Sequence, residues 1–188
     1  MTIAQLQLPF DLPEPTPLTL KDKSSSMTLR TKSYAKIKVE ELQHPRQDQE
    51  MLRLGREFCD DVNLNEWVDP DILFMSCIRC RNDIERRQVN CWIAYADDEA
   101  IGFLVGVATP CFHREGIVAE QKLCYVTPDR RGSTAAFRLI KQFEKWARIN
   151  GATQIFTGSA NLRHAERTIK LLETIGYTRV GALLVKEI

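Results

Sequence analysis

The order of apolar and polar positions divides the chain into elements before any single residue is considered. Ala35, Ile37 and Val39 alternate with Lys36, Lys38 and Glu40, the two-residue period of a half-exposed strand. From Gln49 to Val62 the period lengthens, and Met51, Leu54, Phe58 and Val62 fall on one face of a helix. Asp69-Pro70 opens a second helix, a capping carboxylate followed by proline at the first helical position, predicted to run to about Arg87. Cys91–Tyr95 and Ala100–Ala108 are apolar runs joined by a tight turn at Asp97-Asp98-Glu99, the pattern of a hairpin. Gly116 to Val126 supplies the next strand, whose end (Leu123 to Val126) is apolar enough to be covered on both faces. After Thr127-Pro128-Asp129, Ser133 or Thr134 caps a long helix with Ala136, Leu139, Ile140, Phe143, Trp146 and Ala147 on one stripe. Asn150-Gly151 stops that helix. A short strand at Gln154–Thr157, a helix from about Asn161 to Ile175 and a last strand at Tyr177–Lys186 complete the series.

The order β-α-α-β-β-β-α-β-α-β predicts an α/β fold of the mixed-sheet (α+β) kind, with helices on both faces. A strand that leads through a loop into a helix start leaves backbone N–H groups without acceptors, and the helix dipole adds to their pull on an anion such as phosphate. Residues 34–188 form this domain. Residues 1–33 read differently: Pro9, Pro13, Pro15 and Pro17 precede Lys21-Asp22-Lys23 and a serine run. That composition predicts an extended, Pro-rich tail, partly polyproline II, which suits either docking on a protein partner or a flexible leader.

With 44% hydrophobic residues among 188, the chain can build a real core. A net charge of +1 does not suit a general nucleic-acid binder. No apolar run is long enough for a membrane span, and the opening MTIAQLQLPF lacks the pattern of a secretory signal. The six cysteines then read as reduced residues of a cytoplasmic protein. Cys77 and Cys80 have the spacing of half a zinc site, but they share a helix face with Leu73 and Ile84 and read as core, so no metal is expected. Arg138, Lys141, Lys145 and Arg148 form a basic stripe opposite the apolar face of the long helix, read as a solvated surface.

Val126-x-Pro128-x-x-Arg131-Gly132-x-x-x-Ala136 resembles the acyl-CoA-binding signature of the GNAT superfamily of acyl-CoA N-acyltransferases. The element order is also similar to that of the GNAT-like fold, over about Tyr34 to Ile188. The resemblance implies an N-acetyltransferase that takes acetyl-CoA and an amine acceptor. It implies that the loop of Arg131, Gly132, Ser133, Thr134, Ala135 and Ala136 holds the coenzyme A pyrophosphate, and that the pantetheine arm lies along the backbone of Cys124, Tyr125 and Val126. Asn161 resembles a cofactor-contacting asparagine, and Glu120 a strand glutamate that serves as general base. His113, in the loop of residues 110–116, is a second candidate acid or base. Where the family commonly places a proton-donating tyrosine, four residues before Gly176, this chain has Leu172. Thr134 stands where the middle glycine of the signature is expected, and a β-branched residue at positive φ there would carry about 1–3 kcal/mol of strain. These two departures support an alternative, a catalytically inactive GNAT-fold binding or assembly component, such as a phage virion part, docked through its tail. Cys124 reads as a strand-core thiol, because no histidine is placed by the sequence to activate it.

Overall fold

The computed structural model describes residues 36–62, 69–79, 87–112, 115–158 and 165–180. The expected tail, Cys80, His113, Asn161 and residues 181–186 of the expected last strand lie outside the described residues. The elements are β1 (Ile37–Glu41), α1 (Arg46–Val62), α2 (Pro70–Arg79), β2 (Val89–Ala96), β3 (Glu99–Pro110), β4 (Ile117–Val126), α3 (Ala135–Ile149), β5 (Ala152–Phe156) and α4 (Ala165–Thr174). The strands form one sheet in sequence order. The pairs from β1 to β4 are antiparallel, and β4 pairs with β5 in parallel through the α3 crossover. Among the described residues no helix is long and apolar enough to cross a membrane.

Both faces of the sheet are covered, as expected, and alternation along the strands sorts the core into two layers. Trp92, Ala94 and Ala96 of β2 pack with Leu139, Ile140, Phe143, Trp146 and Ala147 of α3 on one face. Cys91, Ile93 and Tyr95 pack with Met51, Leu54, Phe58 and Cys59 of α1 and Cys77 of α2 on the other. Trp92 meets Phe143 and Trp146 edge-on at centroid distances of 6.2 and 5.6 Å, so α3 is locked to the sheet by aromatic contact as well as by burial. Leaving no room for a side chain, Gly106 of β3 allows this approach: a Cβ there would lie 2.5 Å from the Phe143 ring.

Local chemistry sets the boundaries. Asp97 and Asp98 both adopt positive φ (49° and 65°), the two-residue turn whose twist suits a hairpin. Asp69 Oδ1 accepts from the N–H groups of Asp71 and Ile72 at 2.8 and 3.3 Å, the cap read from the sequence. Helix α1 begins at Arg46 rather than Gln49 because the fully buried Gln47 acts as a hub. Its Oε1 accepts from Gln43 and His44 N–H at 2.8 Å each, and its amide donates to the Glu41 carbonyl at 3.3 Å. Residues 177–180 are not a strand, unlike the sequence expectation. There the Tyr177 N–H is spent on the Leu172 carbonyl at 3.0 Å, behind Gly176 at φ +103°, which closes α4.

Candidate active site

The site arises where two neighbouring strands part. β4 stays paired with β3 along its length, but its register with β5 ends at Glu120–Phe156. From Gln121 to Val126 the strand therefore has no partner on that side among the described residues, and it forms one wall of a cleft of about 410 Å³. A bulge falls at the same place: Gly106 opposes Gln121 and Val105 opposes Leu123, so Lys122 is an extra residue in β4. The extra residue reverses the alternation. Ile117 and Ala119 face α3 before it; Cys124 and Val126 face α3 after it, while Leu123 and Tyr125 face α1.

The turn after β4 supplies the end of the cleft. Pro128–Arg130 form a single 3-10 turn, within which Arg131 N–H bonds to the Pro128 carbonyl at 3.4 Å and Ser133 N–H to the Arg130 carbonyl at 3.2 Å. Ser133 Oγ accepts from Ala135 N–H at 3.3 Å. The N–H groups of Gly132, Thr134, Ala136 and Phe137 have no acceptor among the described residues. Gly132 alone in the turn has a left-handed backbone, φ +85°. Thr134 sits at φ −80°, ψ 5°, so the strain expected at this position does not arise: the glycine two residues earlier takes the conformation a β-branched residue would resist.

Arg131, the first residue of the signature, has its side chain turned back on the protein. Its Nε donates to the Val126 carbonyl at 3.1 Å, an Nη2 pairs with the Asp61 carboxylate, and the guanidinium lies 5.8 Å from the centre of the Tyr125 ring. Arg130 is held by Glu99 and Asp129, each at 3.2 Å. Helix α1 closes another side of the cleft with Phe58, Asp61 and Val62, and α4 a third with Arg167, Thr168, Leu171 and Leu172. Burial, aided by the nearby Asp61 and Glu57 carboxylates, pushes the Tyr125 phenol up to about 12. Cys124 keeps some surface in the cleft wall, yet it packs against the core under α3, and desolvation pushes its thiol up to about 12.

Of the residues singled out from the sequence, Cys124, Tyr125, Val126, Arg131, Gly132, Ser133 and Ala136 converge on this cleft. Thr134 and Ala135 do not line it; Ala135 is fully buried, and Thr134 contributes its unspent N–H from the exposed start of α3. Glu120 stands one residue before the lining begins, 37% exposed and paired with Lys122. Leu172 is both a core residue and part of the cleft wall, so no hydroxyl is offered from that position. Asp61 and Arg167 carry no motif, and no sequence signal distinguishes them. Within the basic stripe, Lys141 and Arg148 meet Glu144, a residue only 5% exposed, at 2.9 and 3.5 Å. Among the described residues no group of three or more His, Cys, Asp or Glu side chains could hold a metal ion.

Solved structures share this arrangement of elements. An aminoglycoside acetyltransferase, HMB0005, from an uncultured soil metagenomic sample is 17% identical, with 81% of this chain and 99% of that one covered at a TM-score of 0.63. The ribosomal-protein-alanine N-acetyltransferase of Brucella melitensis biovar Abortus 2308 is 18% identical, with 81% and 99% covered at 0.61. Aminoglycoside N-acetyltransferase AAC(6')-Iy, solved in complex with CoA, is 16% identical, with 82% and 95% covered at 0.60. At these identities the likeness is one of fold. A search of curated proteins finds no match. Residues 51–177, more than half of the chain, match the Acetyltransferase (GNAT) family. The chain belongs to that family.

Proposed function

We propose that the protein transfers an acetyl group from acetyl-CoA to an amine, directly and within one ternary complex. The observation that carries this reading is the meeting, in one cleft, of a helix start whose lining residues Gly132 and Ala136 have unspent N–H groups and a stretch of β4 with no partner among the described residues. The first is a receptor for a diphosphate; the second can take an extended amide-bearing arm as an added strand. The residues present therefore fit coenzyme A, and the bound thioester would supply the activated acyl group. Gly132 and Ala136, at the lining of the cleft, would hold the diphosphate, and Gln121–Val126 the arm. CoA in the complex of AAC(6')-Iy shows that a protein of this fold takes such a ligand.

The chain's own groups favour direct transfer. A thiol raised to about 12 stays protonated at neutral pH, so Cys124 is a poor nucleophile and no acyl-enzyme is expected there. Leu172 offers no proton to the departing thiolate. A thiolate whose parent thiol ionises near pH ~8.5 leaves without much help, so the absent acid is tolerable. Glu120, at the point where β4 parts from β5, is assigned the amine's proton. Calorimetric titration with acetyl-CoA tests the reading: saturable one-to-one binding is expected, and no heat at millimolar ligand overturns it. Release of free thiol on addition of primary amines then identifies acceptors.

A further inference from the structure

Three arginines line the cleft, and two of them are spent. Arg131 is bound to Asp61 and the Val126 carbonyl, and Arg130 to Glu99 and Asp129. Arg167 of α4 has no carboxylate within ion-pair distance among the described residues. Its neighbour Glu166 is engaged elsewhere, with Arg179 at 3.2 Å. The Arg167 guanidinium lies against the turn: a side chain begun at Gly132 would meet its Nη2 at 3.2 Å. A cation without a partner among the described residues thus stands beside Gly132 and shares the cleft lining with Gly132 and Ala136, whose N–H groups are unspent.

We infer that Arg167, and not the signature's own Arg131, is the side chain that binds the diphosphate of coenzyme A, closing it from the α4 side against the turn. The inference rests on the acetyl-CoA reading above. It divides two roles within one site: Arg131 braces the turn from behind, and Arg167 meets the ligand. A guanidinium suits this position because its planar fork can take two phosphate oxygens, whereas a lysine offers one point charge. It also explains why Gly132 carries no side chain on two separate grounds, its φ of +85° and the proximity of Arg167.

The test is titration of the full chain with CoA and with 3′-dephospho-CoA, for wild type, Arg167→Gln, Arg167→Lys and the outward-facing Lys145→Gln. Losing a charge-assisted pair to phosphate predicts binding weaker by about tenfold to a hundredfold for Arg167→Gln with both ligands. Arg167→Lys is expected to recover part of that loss, and Lys145→Gln to match wild type. Arg167 is exposed, so its variants are expected to melt as wild type does. Equal binding by wild type and Arg167→Gln overturns the inference while leaving the acetyl-CoA reading intact. A loss seen with CoA but not with 3′-dephospho-CoA also overturns it, by moving Arg167 to the 3′-phosphate. A wild-type chain that binds neither ligand refutes the acetyl-CoA reading itself.

Discussion

Arg131 and Asp61 tie the turn after β4 to the last residues of α1, across 70 positions of sequence. Both side chains are largely shielded, at 27% and 20% exposure, and the same guanidinium also holds the Val126 carbonyl. One cation therefore fixes three pieces of the cleft: the strand end, the turn and the helix facing them. Asp61→Asn keeps the shape but removes the charge that anchors Arg131. We expect a loss of about 1–3 kcal/mol in denaturant unfolding, between an exposed and a fully buried pair. Acetyl-CoA binding is expected to weaken severalfold because the turn is no longer held. Unchanged stability would show that the pair contributes nothing to the fold.

Gly132 and Thr134 should respond in opposite ways to simple substitution. Gly132→Ala forces an L residue to φ +85° beside Arg167, and a cost of about 1–2 kcal/mol is expected together with weaker acetyl-CoA binding. Thr134→Gly relieves nothing, since Thr134 already has an ordinary backbone. It only adds freedom to the unfolded chain, so stability should fall by about 0.4–1 kcal/mol with no gain in affinity. A stabilised Thr134→Gly variant would restore the idea of a strained turn.

At Gly106 the sheet has no room for a side chain beneath α3. With a methyl group 2.5 Å from the Phe143 ring, Gly106→Ala must push the ring or the helix outward, at a cost of about 1–3 kcal/mol. Near-ultraviolet circular dichroism, which reports the Trp92–Phe143–Trp146 cluster, should change with the melting temperature.

Alkaline pH should destabilise the fold through Cys124. The thiol ionises near 9.0 in the unfolded chain and near 12 when folded, so the folded state binds its proton more tightly. The corresponding stability is intact below pH 9.0 and is lost as pH rises from there towards 12. Unfolding free energies measured from pH 8 to 11 should fall more steeply for wild type than for Cys124→Ala. Parallel curves would mean that the thiol is not desolvated.

The parts that the sequence revealed were those decided by neighbours in the chain. The Asp69-Pro70 cap, the Asp97-Asp98 turn and the stripe from Leu139 to Ala147 are each a local rule satisfied locally. The early start of α1 was hidden because a buried side chain, Gln47, rather than the backbone pattern, satisfies the preceding N–H groups. Thr134 was misjudged because the motif fixes where glycines usually stand and not which residue bears the left-handed backbone. Asp61 and Arg167 belong to helices far from the signature in sequence, and only the folded chain brings them to the same turn. A cleft residue recruited across the fold leaves no periodicity to read.

Lys122 acts as a half-turn built into β4. Ahead of it, even-numbered positions look one way; behind it, they look the other. Were Lys122 to take an ordinary place in the ladder opposite Val105, Tyr125 would pass to the α3 layer and Cys124 and Val126 to the α1 layer, exchanging the inner and outer linings of the cleft without altering a single amino acid that forms them. The spacing between Glu120 and Leu123 is therefore as much a part of this site's specification as the identity of its side chains.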